Sequence, residues 1–285
     1  MASRRCVSLW AVVWLNCALS GVLYAQVTPP VPSKTLPEGQ APGESAVKAF
    51  VSPASGGSYT IRVEAEESDS DEAEREGRPM AAPAPPGMAP RALVETFGGT
   101  ARRAAKLSVG TKAVEPTFTD LRALIATLPS KSAMVNHTPP ITTAPDSTRV
   151  KEEERNVRVV CWLYAASREA DNDYHLIVGR APGQAPLTFM TVELSGLPPA
   201  TAASFPAIKA ARDSFNKFFG SNLPGSGFDF YPTPIPLMVT GSLFFDKTHA
   251  TGTPPGPATL RPNIPTIWEI HPITSIVFEP NGPPH

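Results

Sequence analysis

The chain has 285 residues, with 25 Lys and Arg against 26 Asp and Glu, a formal net charge of −1 and 34 prolines. A balance this close to zero carries no message about nucleic-acid or membrane partners, and the proline content excludes a chain that is packed core throughout. Three cysteines, two of them within the first 17 residues, exclude a Cys₄ zinc site and thiol redox chemistry in a processed chain.

Residues 1–25 read as a secretory signal peptide. Arg4 and Arg5 precede an apolar run from Val7 to Tyr24, and the small Ala25 stands before Gln26. An uncleaved anchor is the competing reading, and Asn16 before Cys17 is a poor lipidation signal. The expectation is export, periplasmic or extracellular, with no membrane span after cleavage. Cys161 then remains alone, inside "VRVVCWLY", as a small buried hydrophobe rather than a nucleophile.

Residues 26–115 are rich in Pro, Ala, Gly and Ser without a period of 2 or 3.6, which predicts a disordered linker. Eight carboxylates between Glu64 and Glu76, and the basic Arg102, Arg103, Lys106 and Lys112, read as solvated charge. Over 116–150, Leu121, Leu124, Ile125 and Leu128 have helical spacing after Thr119, a plausible N-cap, and Pro129 ends the run. A proline-punctuated approach segment follows.

From residue 151 to 280 the pattern becomes that of a β-rich α+β domain, with 281–285 a tail. "NVRVVCWLYAAS", "DYHLIVGR" and "LTFMTVEL" predict three strands; "SFPAIKAARDSFNKFFG" predicts a helix with Ser204 as N-cap and Phe205, Ile208, Ala211, Phe215 and Phe218 on one stripe. "IPLMVTGSLFFD" and "PTIWEIHPITSIVF" supply two further strands. Three strands, a helix and two strands is the element order of an OB-fold, so the expected architecture is a small five-stranded OB-like barrel, with a sandwich or generic α+β sheet sharing the same string.

Three stretches could carry chemistry. Asp171, Asp173 and His175 alternate in "EADNDYHLIVG" and would line one strand face. Asp246 and His249 flank a turn in "FFDKTH", and Glu269 and His271 share a face in "WEIHP". Meeting in one place, they could hold a divalent metal through His175, His249 and His271, with carboxylates as further ligands or orienting groups. Left apart, each Asp–His pair is a hydrogen-bonded latch. No G-x-S-x-G, H-E-x-x-H or P-loop is present, so a catalytic role cannot be read from a motif.

The combination "EADNDYHLIV", "VTGSLFFDKTH" and "WEIHPI" resembles a group of uncharacterised bacterial proteins, many of them exported, with D-x-D-x-H, F-F-D-x-x-H and E-(I/L)-H-P stretches in this order. The resemblance covers roughly residues 155–277 and implies a bacterial origin and one domain holding these residues together. It brings no activity.

The main functional expectation is an OB-like module that binds a small molecule, oligosaccharide or peptide, with Trp162, Tyr164, Tyr231 and Trp268 available for stacking. Ten Lys and Arg against twelve Asp and Glu after residue 150 disfavour nucleic acid. The alternatives are a metal-dependent hydrolase of the phosphodiesterase or nuclease kind, using the His/Asp/Glu set, and an envelope tethering protein.

Overall fold

Alternation of apolar residues in "VRVVCWLYAAS" does what period 2 dictates: Val157, Val159, Cys161 and Leu163 bury completely on one face of a strand. The computed structural model describes residues 46–63, 95–252 and 255–282. Its elements are β1 (Ala46–Val51), β2 (Ser58–Val63), α1 (Arg103–Lys106), α2 (Leu121–Ile125), α3 (Lys131–Val135), β3 (Asn156–Arg168), β4 (Tyr174–Gly179), β5 (Phe189–Leu194), α4 (Phe205–Phe219), β6 (Asp229–Phe245) and β7 (Trp268–Phe278). The signal peptide, the acidic run and residues 283–285 lie outside the described residues.

The expected five-stranded OB barrel is overturned. The strands form one seven-stranded mixed sheet in the order β1-β2-β6-β3-β4-β5-β7, with β7 pairing β6 as well. Neighbours run antiparallel except β5 and β7, which meet in parallel at Val192 and Ile270. Two features separate this from the expectation. β6 extends back through Pro236, Pro234 and Pro232 to Asp229, and the added length receives β2 at Arg62–Phe230 and Val63–Asp229. The β1–β2 hairpin itself falls within the stretch expected to be disordered linker. Its strands, "AVKAFV" and "SYTIRV", are short and sit in a Pro- and Gly-rich background, so their pairing is decided by the sheet they join rather than by local pattern.

The core fills one face of the sheet. Val159, Cys161, Leu176, Val178, Val192, Leu237, Val239, Leu243 and Ile270 pack there with Ala211, Phe215, Phe218 and Phe219 of α4. Burial drives the Cys161 thiol pKa far up, which leaves it inert as a nucleophile. Ser204 precedes α4, but its hydroxyl donates to Leu107 O instead of capping the helix. Asp120 rather than Thr119 caps α2, accepting from Arg122 N. The hairpin closes one end of the core: Phe50 and Tyr59 pack on Phe218 and Phe219, and the Tyr59 hydroxyl donates to Glu279.

A register shift in β3 between Leu163 and Ala165 turns the strand over. Leu163 and Ala166 both face the main core, whereas Ala165 joins a second, smaller apolar group with Ile177, Phe189, Phe228 and Phe230. That group lies on the opposite face of the sheet, under Leu260 and Ile264 from the β6–β7 connection. β4 and β5 are therefore buried on both faces. A polar side chain on the second face has no access to water and must be satisfied by protein or ligand.

Candidate metal centre

The second face carries the polar residues. His175 pairs across the sheet with Ser167 on β3 and with Glu193 on β5. Glu269 and His271 flank Ile270 on β7, the strand beside β5, and so point away from the core that Ile270 enters. Adjacent strands stand about 4.8 Å apart, so His175, Glu193 and His271 form a row across three neighbours at a spacing suited to side-chain contact.

The contacts along that row are short. His175 Nδ1 lies 2.6 Å from Glu169 Oε1 and 3.7 Å from Glu193 Oε1. The other oxygen of Glu193, Oε2, is 2.6 Å from His271 Nδ1. His271 Nδ1 is 3.7 Å from Glu269 Oε2, and its Nε2 is 3.4 Å from Asp173 Oδ2. Phe244 packs beside His271, and the Arg102 guanidinium sits over the Phe244 ring at 4.8 Å. Arg102 is held by a bidentate pair with Glu153 at 2.6 and 2.8 Å.

Asp171 and Asp173 do not share a strand face with His175, contrary to the alternation in the sequence. They belong to the turn between β3 and β4, where Asn172 has φ 75° and Asp173 N donates to Asp171 Oδ1. The turn still delivers Asp173 to the row: Gly196 N donates to its Oδ1 at 2.5 Å, while Oδ2 accepts no hydrogen bond and faces His271. Asp171 faces Lys106 Nζ at 3.7 Å.

Asp246 and His249 close the turn after β6. Asp246 Oδ1 accepts from Thr248 N at 2.7 Å and from His249 N at 3.3 Å, and Oδ2 bonds His249 Nδ1. This pair is a local latch, and Glu269 joins it from β7.

Three groups of ligand atoms result, each with its members within 4.8 Å of one another: Glu169, His175 and Glu193; Asp173, Glu193 and His271; Asp246, His249 and Glu269. Each combines one imidazole with two carboxylates, a donor set suited to zinc, manganese or another borderline divalent ion. The structure thus offers latent divalent-metal sites, with one of the three predicted histidines in each group. Glu169 and Glu193 were missed as candidates. Glu193 was legible in "FMTVEL", where one carboxylate interrupts an otherwise apolar strand and cannot be buried without a partner.

The electrostatics favour cations. Six carboxylates (Glu169, Asp171, Asp173, Glu193, Asp246 and Glu269) gather here, all of them buried or nearly so. Lys106 and Arg212 act on Asp173, and His249 and Lys106 act on Asp246. Burial, with Asp171 and Glu193 nearby, pushes the Asp173 carboxyl well above its ordinary range. Asp246 goes the other way. Burial works against its charge, but His249, Lys106 and the Thr248 N–H together bring it below the usual value.

The aromatic residues expected to stack a ligand are elsewhere. Tyr231 and Trp268 are 2 % and 1 % exposed and belong to the main core, where Trp268 Nε1 donates to Pro129 O. Tyr164 packs edge-on against Phe189 and donates to Arg180 O. Trp162 is half-buried. With neither an OB barrel nor an open aromatic face, the expectation of an OB-like binding module is set aside.

Comparison of the chain with family models, with curated proteins and with solved structures gives no match in any of the three. No helix among the described residues is long and apolar enough to cross a membrane.

Proposed function

We propose that the chain is a metal-dependent hydrolase whose centre is the His175–Glu193–His271 row. One observation carries the reading: six carboxylates and three imidazoles occupy one buried patch, and within it they form three groups whose ligand atoms lie within 4.8 Å of one another. Charges of like sign at such distances in a low dielectric cannot all be ionised unless cations join them. A divalent ion there supplies Lewis acidity and lowers the pKa of a water it binds.

The chain's own residues divide the remaining work. Histidine and glutamate side chains on β4, β5 and β7 hold the metal on a rigid sheet. Asp173 brings a further buried carboxylate to the row, its Oδ2 3.4 Å from His271 Nε2. Lys106, beside Asp171, provides a positive charge suited to an anionic substrate such as a phosphodiester.

The depth of the patch favours a second reading, a metal that ties β4, β5 and β7 together without turnover, since His175 and His271 are 1 % and 0 % exposed. Elemental analysis of the purified protein, followed by hydrolysis of bis(p-nitrophenyl) phosphate with and without added Mn²⁺ or Zn²⁺, separates the two. Metal with turnover lost in His271→Ala supports the hydrolase; metal without turnover supports the structural role; no metal under any loading sinks both. Export stays within the proposal and rests on Arg4, Arg5 and the apolar run to Tyr24. N-terminal sequencing of the exported form should begin at Gln26.

A further inference from the structure

Two of the three ligand groups share a residue. Glu193 belongs both to the group with Glu169 and His175 and to the group with Asp173 and His271. Its two oxygens are divided between them: Oε1 faces His175 Nδ1 at 3.7 Å and Oε2 faces His271 Nδ1 at 2.6 Å. A carboxylate placed in this way has one oxygen for each of two ions, the arrangement that holds metals about 3.5–4 Å apart in two-metal sites.

We propose that the centre is dinuclear, with Glu193 bridging one divalent ion held by Glu169 and His175 and a second held by Asp173 and His271. This rests on the metal reading above and goes beyond it in number and in bridge. The sheet explains why the bridge is here. β5 lies between β4 and β7, so its outward carboxylate has a histidine strand on either side. Asp173 adds an independent sign, for it is fully buried and its Oδ2 accepts no hydrogen bond while pointing at His271.

The dimensions fit. Ligand atoms around one tetrahedral ion with bonds of about 2.0–2.1 Å stand about 3.3 Å apart. The 3.7 Å separation between His175 and Glu193 already allows this, the two 2.6 Å contacts need to open by under about 1 Å, and one nitrogen of His271 lies within 4.8 Å of both an Asp173 and a Glu193 oxygen. Glu269 is the rival bridge. It shows Oε2 toward His271 at 3.7 Å, and the Asp246 it would share with is engaged by Thr248 N and by the backbone N and ring Nδ1 of His249.

The test is Mn²⁺ loading of the full chain, read by bound metal per chain and by electron paramagnetic resonance. The expected result is two Mn²⁺ with an exchange-coupled spectrum, falling to one uncoupled ion in His175→Ala and in His271→Ala, with Val47→Ala, exposed on β1, unchanged. One uncoupled Mn²⁺ in the unmodified protein overturns the dinuclear centre and leaves the metal reading standing. No bound Mn²⁺, with Zn²⁺ and Co²⁺ also unbound, overturns both. Coupling lost in His249→Ala but kept in His175→Ala moves the pair to Glu269 and overturns the bridge at Glu193. The unmodified protein decides the ion count even if a variant fails to fold.

Discussion

Asp173 Oδ2 and His271 Nε2 stand 3.4 Å apart, both fully buried, although one lies in the turn between β3 and β4 and the other on β7, the last strand. The pair links the β3–β4 turn to β7.

The metal-free protein is expected to lose stability as pH rises. The Asp173 carboxyl is raised in the folded state by burial and by Asp171 and Glu193, whereas the unfolded carboxyl ionises near about 3.9. Above that value the unfolded state holds fewer protons than the native one, so the slope of stability against pH is negative until the folded pKa is passed. Asp173→Asn removes this contribution. Thermal melts of the chelated protein should show Asp173→Asn gaining on the parent between pH 4 and neutrality, and a parent melt that is flat in pH would contradict the assignment.

Arg102 should be among the costliest polar residues to replace. Its guanidinium makes a bidentate bond to Glu153, donates to Phe245 O and Thr148 O, and is 2 % exposed. Arg102→Met leaves Glu153 charged and buried, a change that costs about 3–5 kcal/mol. Urea titration measures the loss. Because the same guanidinium supports Phe244 beside His271, metal affinity of the folded fraction should fall as well.

The β1–β2 hairpin is expected to contribute to the fold rather than hang from it. Phe50→Ala removes a ring buried against Tyr59, Phe218 and Phe219 and should cost about 3–5 kcal/mol. Val47→Ala on the same strand, with its side chain 66 % exposed, should change stability by less than about 0.5 kcal/mol. Equal small effects for both would mean that the hairpin is not docked in solution.

Gly241 is a point of close approach between β6 and β7. It sits at the shift in their register, and a Cβ built there would stand 2.4 Å from Pro272 O and 3.0 Å from Ile273 Cα. Backbone atoms cannot yield as a side chain can, so Gly241→Ala should force the strands apart next to His271. Both the melting temperature and the bound metal should drop, whereas Gly183→Ala, in open space at φ 77°, should show backbone strain alone and leave the metal in place.

Period and punctuation in the sequence were enough to locate β3 to β7 and α4, because an apolar face repeating every 2 or 3.6 residues is a local property. The same reasoning nominated His175, His249 and His271, since a histidine beside a carboxylate at a strand end is visible in a few residues. It misjudged Asp171 and Asp173, which alternate with His175 as strand residues would but belong to a turn with Asn172 in the left-handed region. It also passed over Glu193, whose importance is its position between two histidine strands.

Strand order is where the sequence stopped. The five-stranded OB barrel was the simplest closure of the element string, and the seven-stranded sheet replaces it because β6 runs long enough to receive β2. No local pattern records that event. The sequence determined which apolar faces of β3 to β7 and α4 would be buried and which imidazoles lay near carboxylates, because hydrophobic period and neighbouring chemistry are carried by adjacent residues. Only the tertiary structure decided that β4, β5 and β7 stand side by side and bring His175, Glu193 and His271 into one row, because pairing between strands far apart in the chain is selected by the packing of both sheet faces at once.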